Sequence, residues 1–405
     1  MVIQAAPSPD KRADQADALI RREFAGLTGT SYLDVAARAP LPASAERAAA
    51  AMLAAQASGT ISKNDWLALV ERARGQAAAR LGAQPEEIAF TKNASEGLNL
   101  VATALRLGPG DRMVTMSAIE HPNNILPWMW QAQEAGAELV NLEPRQGQSP
   151  EEAMISAIDG RTKLVAVTAV DFATGRRTDL AVLGEACRRH GAFLLVDGAQ
   201  SSGVLEEDFS SLPVDGWATA TQKGLLGLYG LGLLYVRREW AEKLRPASLA
   251  RFSVELSEAH EAARPEGGFR LRDGAGRFEV GNHNYVALAA LNASLDLLAQ
   301  IGRAEVERRA VGAADALREG LAALGIPLLP VPEAHRSHIL AIGDALGRGH
   351  DTADAAWVAS LSTAFKAAGV VHSVRRGALR LSTHIHVLPE TVAQVLDCAA
   401  GWRRG

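Results

Sequence analysis

Five short apolar runs, separated by stretches of helical period, fill residues 87–200, and this alternation limits the chain to a narrow set of folds. The runs are EIAF (87–90), RMVTM (112–116), ELVNL (138–142), KLVAVTAV (163–170) and FLLVDGA (193–199). Between them lie EGLNLVATAL, NNILPWMWQAQEAG, PEEAMISAI and LAVLGEACRRHG. Two of these end at glycines, Gly136 and Gly191, placed for a left-handed helix terminus. Strands that are apolar along their whole length are buried on both faces. The pattern therefore predicts an α/β fold, with a mostly parallel central sheet covered by helices. WATAT (217–221) and GLGLLYV (230–236) predict two further strands.

Beyond residue 250 the pattern turns irregular (RPEGGFRLRDGAGRFEVG), as expected of a loop at an edge or interface. It resumes as a long helical stretch, YVALAALNASLDLLAQIG. Residues 304–405 predict a smaller α+β domain of helix, strand (SHILAIG), helix (TADAAWVASLSTAFKAAG), strand (LRLST) and helix. The expected organisation is an N-terminal helical segment over 1–30, a large ligand-binding domain over 31–285, and an interdomain helix with a small C-terminal domain over 286–405. A chain of 405 residues suits two domains. A net charge of −4 offers no basic excess to a nucleic acid, so none is expected as a partner. Two cysteines, Cys187 and Cys398, are too few for a disulfide framework or a cysteine-rich zinc site. The opening MVIQAAPSPDKRADQAD turns charged before a signal-peptide core can form, and the uncharged run near residue 223 is too short to span a bilayer. A cytoplasmic protein with no membrane contact is expected.

In an open parallel sheet, ligands bind at the carboxyl ends of the strands. After EIAF comes TKNASEGLN, a turn into a helix. Its first amides and Ser95 suit a phosphate, with plain N-capping by Asn93 or Ser95 as the competing reading. After RMVTM comes SAIEHPNNILPW, where His121, flanked by Glu120, is a candidate acid–base or stacking group. FLLVDGA places Asp197 at the end of an apolar strand, where a carboxylate needs a cation or several donors. Gln200 lies three residues on. Lys223, one of seven lysines, stands in TATQKGLLGLYGLGLLYV between Gln222 and an apolar, glycine-studded run. Desolvated there, it loses its proton and becomes the nucleophile that a carbonyl cofactor needs. In a tight turn it would instead keep its ammonium in water. Arg380 lies inside the LRLST strand and wants a carboxylate, from a substrate or from the protein. His384 and His386 form a His-x-His pair without a third ligand, a weak signal, and no metal is expected.

One ligand accounts for the set: a phosphate at Ser95, a pyridine nitrogen at Asp197, a phenolic oxygen at Gln200, a ring against His121 and an aldehyde at Lys223. That ligand is pyridoxal 5'-phosphate (PLP), which leaves Arg380 for the carboxylate of an amino-acid substrate. A dinucleotide is excluded by position, because the glycines after Lys223 enter a strand and not a helix.

The chain resembles the class V aminotransferases of PLP fold type I, a group that includes cysteine desulfurases and isopenicillin N epimerase-like proteins. The resemblance starts at YLDVAARAPLP (32–42) and reaches the C-terminal helix. It rests on FTKNASEGLNLVA, SAIEHPNNILPW, LLVDGAQSSG, TATQKGLLGLYGLGLLYV, RFEVGNHNY and LRLST, in that order. It implies Lys223 as the lysine that bonds the cofactor, Asp197 at the pyridine nitrogen, Gln200 at the phenolic oxygen, His121 over the ring face and Arg380 at the substrate carboxylate. Ala94 and Ser95 fall where the family has two small hydroxyl residues at the phosphate. Gln222 falls where it has a histidine. Asn282 falls where a second subunit lends a phosphate contact, so the resemblance also implies a homodimer with its site at the subunit interface.

Two departures from the family bear on the reaction. A desulfurase carries a nucleophilic cysteine shortly before the arginine strand, and here that stretch is AAGVVHSVRRGAL. VDFATGRRTDL also lacks the usual asparagine, with Phe172 in that region. Both favour β-elimination on an S-substituted cysteine, a C–S lyase reaction in which Lys223 moves the α-proton. His121 or His372 is the candidate to protonate the leaving sulfur. Transamination with a keto acid uses the same residues, and so do epimerisation and decarboxylation. A non-catalytic PLP-binding protein is a further alternative. Arg38, Lys63, Trp128, Arg176, Arg272 and His372 are candidates to line the pocket.

Overall fold

The computed structural model describes residues 9–143, 145, 147–256, 264 and 266–404. The first eight residues of the charged N-terminal stretch, and 257–263 and 265 of the irregular one, lie outside the described residues. The seven strands predicted before residue 250 form one sheet. In spatial order it runs Ile88–Thr91, Gly232–Val236, Gly216–Ala220, Phe193–Asp197, Thr162–Thr168, Arg112–Thr115, Glu138–Asn141. The five strands from Gly216–Ala220 to Glu138–Asn141 are mutually parallel. Gly232–Val236 runs antiparallel to both its neighbours. The reversal has a local cause: the Lys223 loop joins this strand to Gly216–Ala220 with no crossover helix, and such a connection can only return antiparallel.

Successive residues of one strand feed opposite cores. Leu194 and Val196 pack with Trp217, Tyr235 and Leu81 on one face. Phe193 and Leu195 pack with Leu98, Trp128 and Leu234 on the other. This is why the central strands are apolar at every position. The edge strand Glu138–Asn141 keeps its polar ends exposed. Gly136 and Gly191 close their helices in the left-handed conformation at φ 67° and 68°, as their placement predicts.

The C-terminal region carries a three-stranded antiparallel sheet in the order Ile339–Ile342, Ala378–Ser382, Ser373–Arg375. Helices Arg303–Ala323, Ala356–Ala367 and Pro389–Arg404 supply its core with Leu317, Phe365 and Val395. The strand Ser373–Arg375 is absent from the sequence expectation. It is too short for its alternation to register. The segment after helix Pro9–Glu23 docks here as well: Ser31–Tyr32 pairs in parallel with Val370–Val371, and Asp34 bridges to Ser382.

Candidate active site

A cavity of about 420 Å³ opens at the carboxyl ends of the parallel strands. Ala94, Ser95, His121, Asp197, Gln200, Gln222 and Lys223 line it. Of the predicted site residues, Asn282 and Arg380 do not.

Lys223 sits in a turn closed by Leu226 N–H to Lys223 O at 2.9 Å and Gly227 N–H to Thr221 O at 2.8 Å. It is half-buried, and among the described residues it makes no hydrogen bond or ion pair. Burial pushes its pKa down to about 8, while Asp197 opposes the shift and Arg380 and Arg375 add to it. The lysine is thus in a tight turn and also desolvated. The competing reading was right about the turn and wrong about the solvation.

Asp197 ends its strand 5% exposed. Its carboxylate accepts from Ala199 N–H at 2.9 Å. Burial raises its pKa, against the Ala199 amide and the charges of Lys223 and His121. Among the described residues no cation forms an ion pair with this carboxylate. Gln200 donates through Nε2 to Ala36 O at 3.0 Å, and its Oε1 is buried with no partner among the described residues. At the other end of the cavity, helix Ala94–Ala104 begins. Asn93 caps it by accepting from Glu96 N–H at 2.9 Å. Capping and anion binding do not compete here, because the cap uses the third amide. The first two, of Ala94 and Ser95, have no intrahelical acceptor.

His121 lies exposed at the cavity mouth, its Nδ1 accepting from Asn123 N–H at 3.2 Å. The neutral ring therefore carries its proton on Nε2. It meets Phe172 edge-on, with centroids 5.4 Å apart. Partial burial lowers its pKa, Asp197 opposes this, and Lys223 adds to it. Glu120, beside it, has a role that sequence reasoning missed. It is 5% exposed and accepts from Asn124 Nδ2 at 2.7 Å and from Thr168 N–H at 2.6 Å. It pins the His121 loop to the end of a central strand, and burial holds its pKa well above the usual carboxylate range. An acid next to a strand-end histidine was the only signal available.

Arg380 is 2% exposed and stands behind the cavity wall. It donates to Phe172 O at 2.8 Å and Ser373 Oγ at 3.1 Å, and pairs with Asp34 at 3.3 Å. Burial lowers its pKa to about 10 against the pull of Asp34. The carboxylate this strand arginine wants is supplied within the chain by Asp34. Asn282 is exposed and lines an adjoining depression of about 270 Å³ that shares Lys92 and Gly230 with the Lys223 cavity.

Other candidates fall away. His372 is satisfied inside the small domain by Ser362 Oγ and Val370 O, so it is not placed to protonate a leaving group. Arg176 is paired with Glu151 at 2.7 Å, and Trp128 is buried with its Nε1 on Asn124. Arg38, Lys63 and Arg272 are likewise not part of the cavity lining. His384 and His386 stack at 6.4 Å and each bonds a backbone carbonyl. Among the described residues, no three metal-ligating side chains converge.

Residues 31–361 match the aminotransferase class-V family. A probable cysteine desulfurase of Methanothermobacter thermautotrophicus is 32% identical over 296 residues, 71% of this chain and 72% of its own length. The apo structure of a cysteine desulfurase from Thermococcus onnurineus aligns with a TM-score of 0.77 and 25% identity, over 99% of each chain. The cystine C-S lyase C-DES, solved with its product cysteine persulfide, aligns with a TM-score of 0.82 over 93% of this chain and 99% of its own. At 24% identity that likeness is one of fold. A mutant of C-DES has been solved with glycine covalently linked to its PLP cofactor.

Proposed function

The chain belongs to the class V aminotransferase family, and we propose that it is a C–S lyase that eliminates a thiol from an S-substituted cysteine. It is a PLP-dependent enzyme of fold type I, and the cavity suits that cofactor. The unpartnered Gln200 Oε1 can accept from a phenolic hydroxyl. Among the described residues no cation forms an ion pair with Asp197, and a protonated pyridine nitrogen can. The free amides at Ala94 and Ser95 suit a phosphate, with Gln222 alongside. Bound PLP supplies an electron sink for the charge that develops at the substrate Cα.

The protein's own contribution starts with Lys223. With its pKa near 8, a sizeable fraction of its amine is neutral at neutral to mildly alkaline pH, so it can bond the cofactor's aldehyde and later move the proton at Cα. His121 covers one side at the cavity mouth. Its Nε2–H is the proton available for a leaving sulfur. Arg380, bonded to Phe172 O behind the cavity wall, is the arginine available to the substrate carboxylate, by exchanging or sharing its partner Asp34. Glu120 holds the His121 loop in place.

The location of the two cysteines carries the choice of reaction. Cys187 is fully buried in helix Leu180–His190, and burial pushes its thiol up to about 12. Cys398 lies in the last helix, donating to Ala364 O. Neither lines the cavity. Desulfuration needs a thiolate at the substrate sulfur, whereas elimination needs none. The names of the relatives, cysteine desulfurase and cystine C-S lyase, support a sulfur amino acid as the substrate, and elimination is the sulfur chemistry that these residues suit.

Asn282 supports a homodimer. It stands beside its own cavity on a rim where Tyr229 is 61% exposed and Val280 43%. Paired face to face, each subunit would lend this amide to the phosphate end of the other.

The deciding experiment adds S-alkyl cysteines to the PLP-loaded protein and follows thiol, pyruvate and ammonia. Equal yields of the three support elimination. Amino transfer to the cofactor without pyruvate would replace it with transamination. Sulfane sulfur appearing on the protein would restore desulfuration.

A further inference from the structure

THIHVL (383–388) leaves the small sheet and runs against the Lys223 turn. We propose that His384 is a positioning residue for Lys223, holding the Lys223–Leu226 turn from the small domain. The proposal rests on the reading of Lys223 as the cofactor-bonding lysine. His384 is fully buried, with its Nε2 2.9 Å from the carbonyl oxygen of Gly224, the residue after Lys223. Its Nδ1 accepts from the Ile385 N–H at 2.7 Å. That bond settles the tautomer: the lone pair is on Nδ1, the proton is on Nε2, and Nε2 donates to Gly224. Burial keeps the ring neutral, with a pKa lowered to about 3.

The opposite side of the same carbonyl is equally confined. A Cβ at Gly203, which has φ +86°, would stand 2.3 Å from Gly224 O. Gly203 closes the DGAQSSG loop that begins at Asp197. The carbonyl is therefore wedged between the Asp197 loop and His384. At the far end of the turn, Leu226 adopts φ 57°, a left-handed conformation disfavoured for a residue with a Cβ. It is held by Ser294 Oγ, donating to Leu226 O at 2.8 Å, and by packing among Ile385, Leu388, Ile20 and Leu297. A turn containing such a residue persists only where its surroundings over-determine it. Three of those surroundings, His384, Ile385 and Leu388, come from one six-residue stretch of the small domain. The geometry and desolvation of Lys223 are thus set partly from outside the large sheet.

The test compares His384→Phe, which keeps a ring without a donor, with His384→Gln, whose amide nitrogen reaches towards the Nε2 position. Two readouts are taken: the rate at which Lys223 captures PLP, trapped by borohydride and located by mass spectrometry, and the pH midpoint of Lys223 acetylation in PLP-free protein. The charges around that amine, Asp197 and Asp34 raising its pKa and Arg380 and Arg375 lowering it, are unchanged in both variants. His384→Phe is expected to slow capture about tenfold, the worth of one buried hydrogen bond, with His384→Gln within about twofold of the native rate. The acetylation midpoint should rise from about 8 towards the ordinary lysine value of 10.5 in the Phe variant alone. Native behaviour in His384→Phe, or equal loss in both variants, overturns the proposal. Should His384→Phe fail to fold, Ser294→Ala removes the side-chain hydrogen bond to Leu226 O at the far end of the turn. Slower capture in that variant supports the clamp, and an unchanged rate overturns it. If the native protein traps PLP elsewhere than Lys223, the cofactor assignment of Lys223 fails first. Capture at Lys223 that ignores His384 sinks only the clamp.

Discussion

Arg74 and Glu279 meet at 2.9 Å with side chains 8% and 1% exposed. Glu279 also accepts from Phe90 N–H at 2.8 Å, and Arg74 also donates to Ile88 O at 2.6 Å and pairs with Glu71. Every charge there has a close partner. At the strand ends, Lys223 and Asp197 share a cavity, yet Lys223 makes no hydrogen bond among the described residues and Asp197 has one backbone amide. Accordingly, the Arg74 pKa is raised, whereas those of Lys223 and Asp197 both move towards neutrality. The first cluster is a finished structural pair. The second has charges left uncompensated by the protein, the mark of a site built around something else.

The sharpest way to separate the two is to delete one member of each. Lys223→Ala should lower turnover at least about 100-fold and abolish PLP retention through dialysis, with the melting temperature unchanged. Arg74→Met should do the reverse. It removes the guanidinium over Phe90 and leaves Glu279 buried without its arginine, so denaturant titration should show a loss of about 3–5 kcal/mol. The absorbance of the bound cofactor should stay native. A spectral change in Arg74→Met, or a large stability loss in Lys223→Ala, would erase the distinction.

Asp197→Asn probes the unfinished side more gently. The folded pKa of Asp197 lies above its ordinary 3.8, so the native state holds a proton that the unfolded chain has lost. Native stability therefore falls as pH rises from 3.8 through the raised value. In PLP-free protein the amide removes that loss, and stability at neutral pH should be unchanged or up to about 1 kcal/mol higher. PLP affinity and turnover should fall together. Urea melts with and without PLP give both numbers.

The smallest effect lies away from both clusters. Burial lowers the pKa of His386 to about 4, so stability should decline as pH drops from the ordinary 6.5 towards 4, where the unfolded chain takes up a proton and the folded one does not. His386→Gln keeps a donor for Tyr32 O and removes the titration. Its stability profile should be shallower over that interval by up to about one proton.

The large sheet was legible because it is written locally. Strand-length apolar runs, helix-closing glycines and strand-end polar residues each occupy a few neighbouring positions, and Lys223, Asp197, Gln200 and Ser95 all meet in one cavity. The antiparallel return of Gly232–Val236 was not anticipated, although the short connection requires it. What was not legible shares a different cause. The partner of Arg380 within the chain could not be named because Asp34 is 346 positions away. His372 looked available because nothing nearby in sequence shows Ser362 folding onto it. The His-x-His pair was a weak signal with no metal expected, and the partners of its rings, the carbonyls of Gly224 and Tyr32, lie at distant points in the chain.

The sequence by itself therefore determined the order of the elements and which side chains stand at the strand ends, since both follow from periodicities of two and 3.6 residues that neighbours alone create. Only the tertiary structure decided which buried charges are compensated. Desolvation and Coulomb energy depend on distance in space, and the partners that complete Arg380, Arg74 and Glu120, or leave Lys223 incomplete, are brought there by chain that the local pattern does not see.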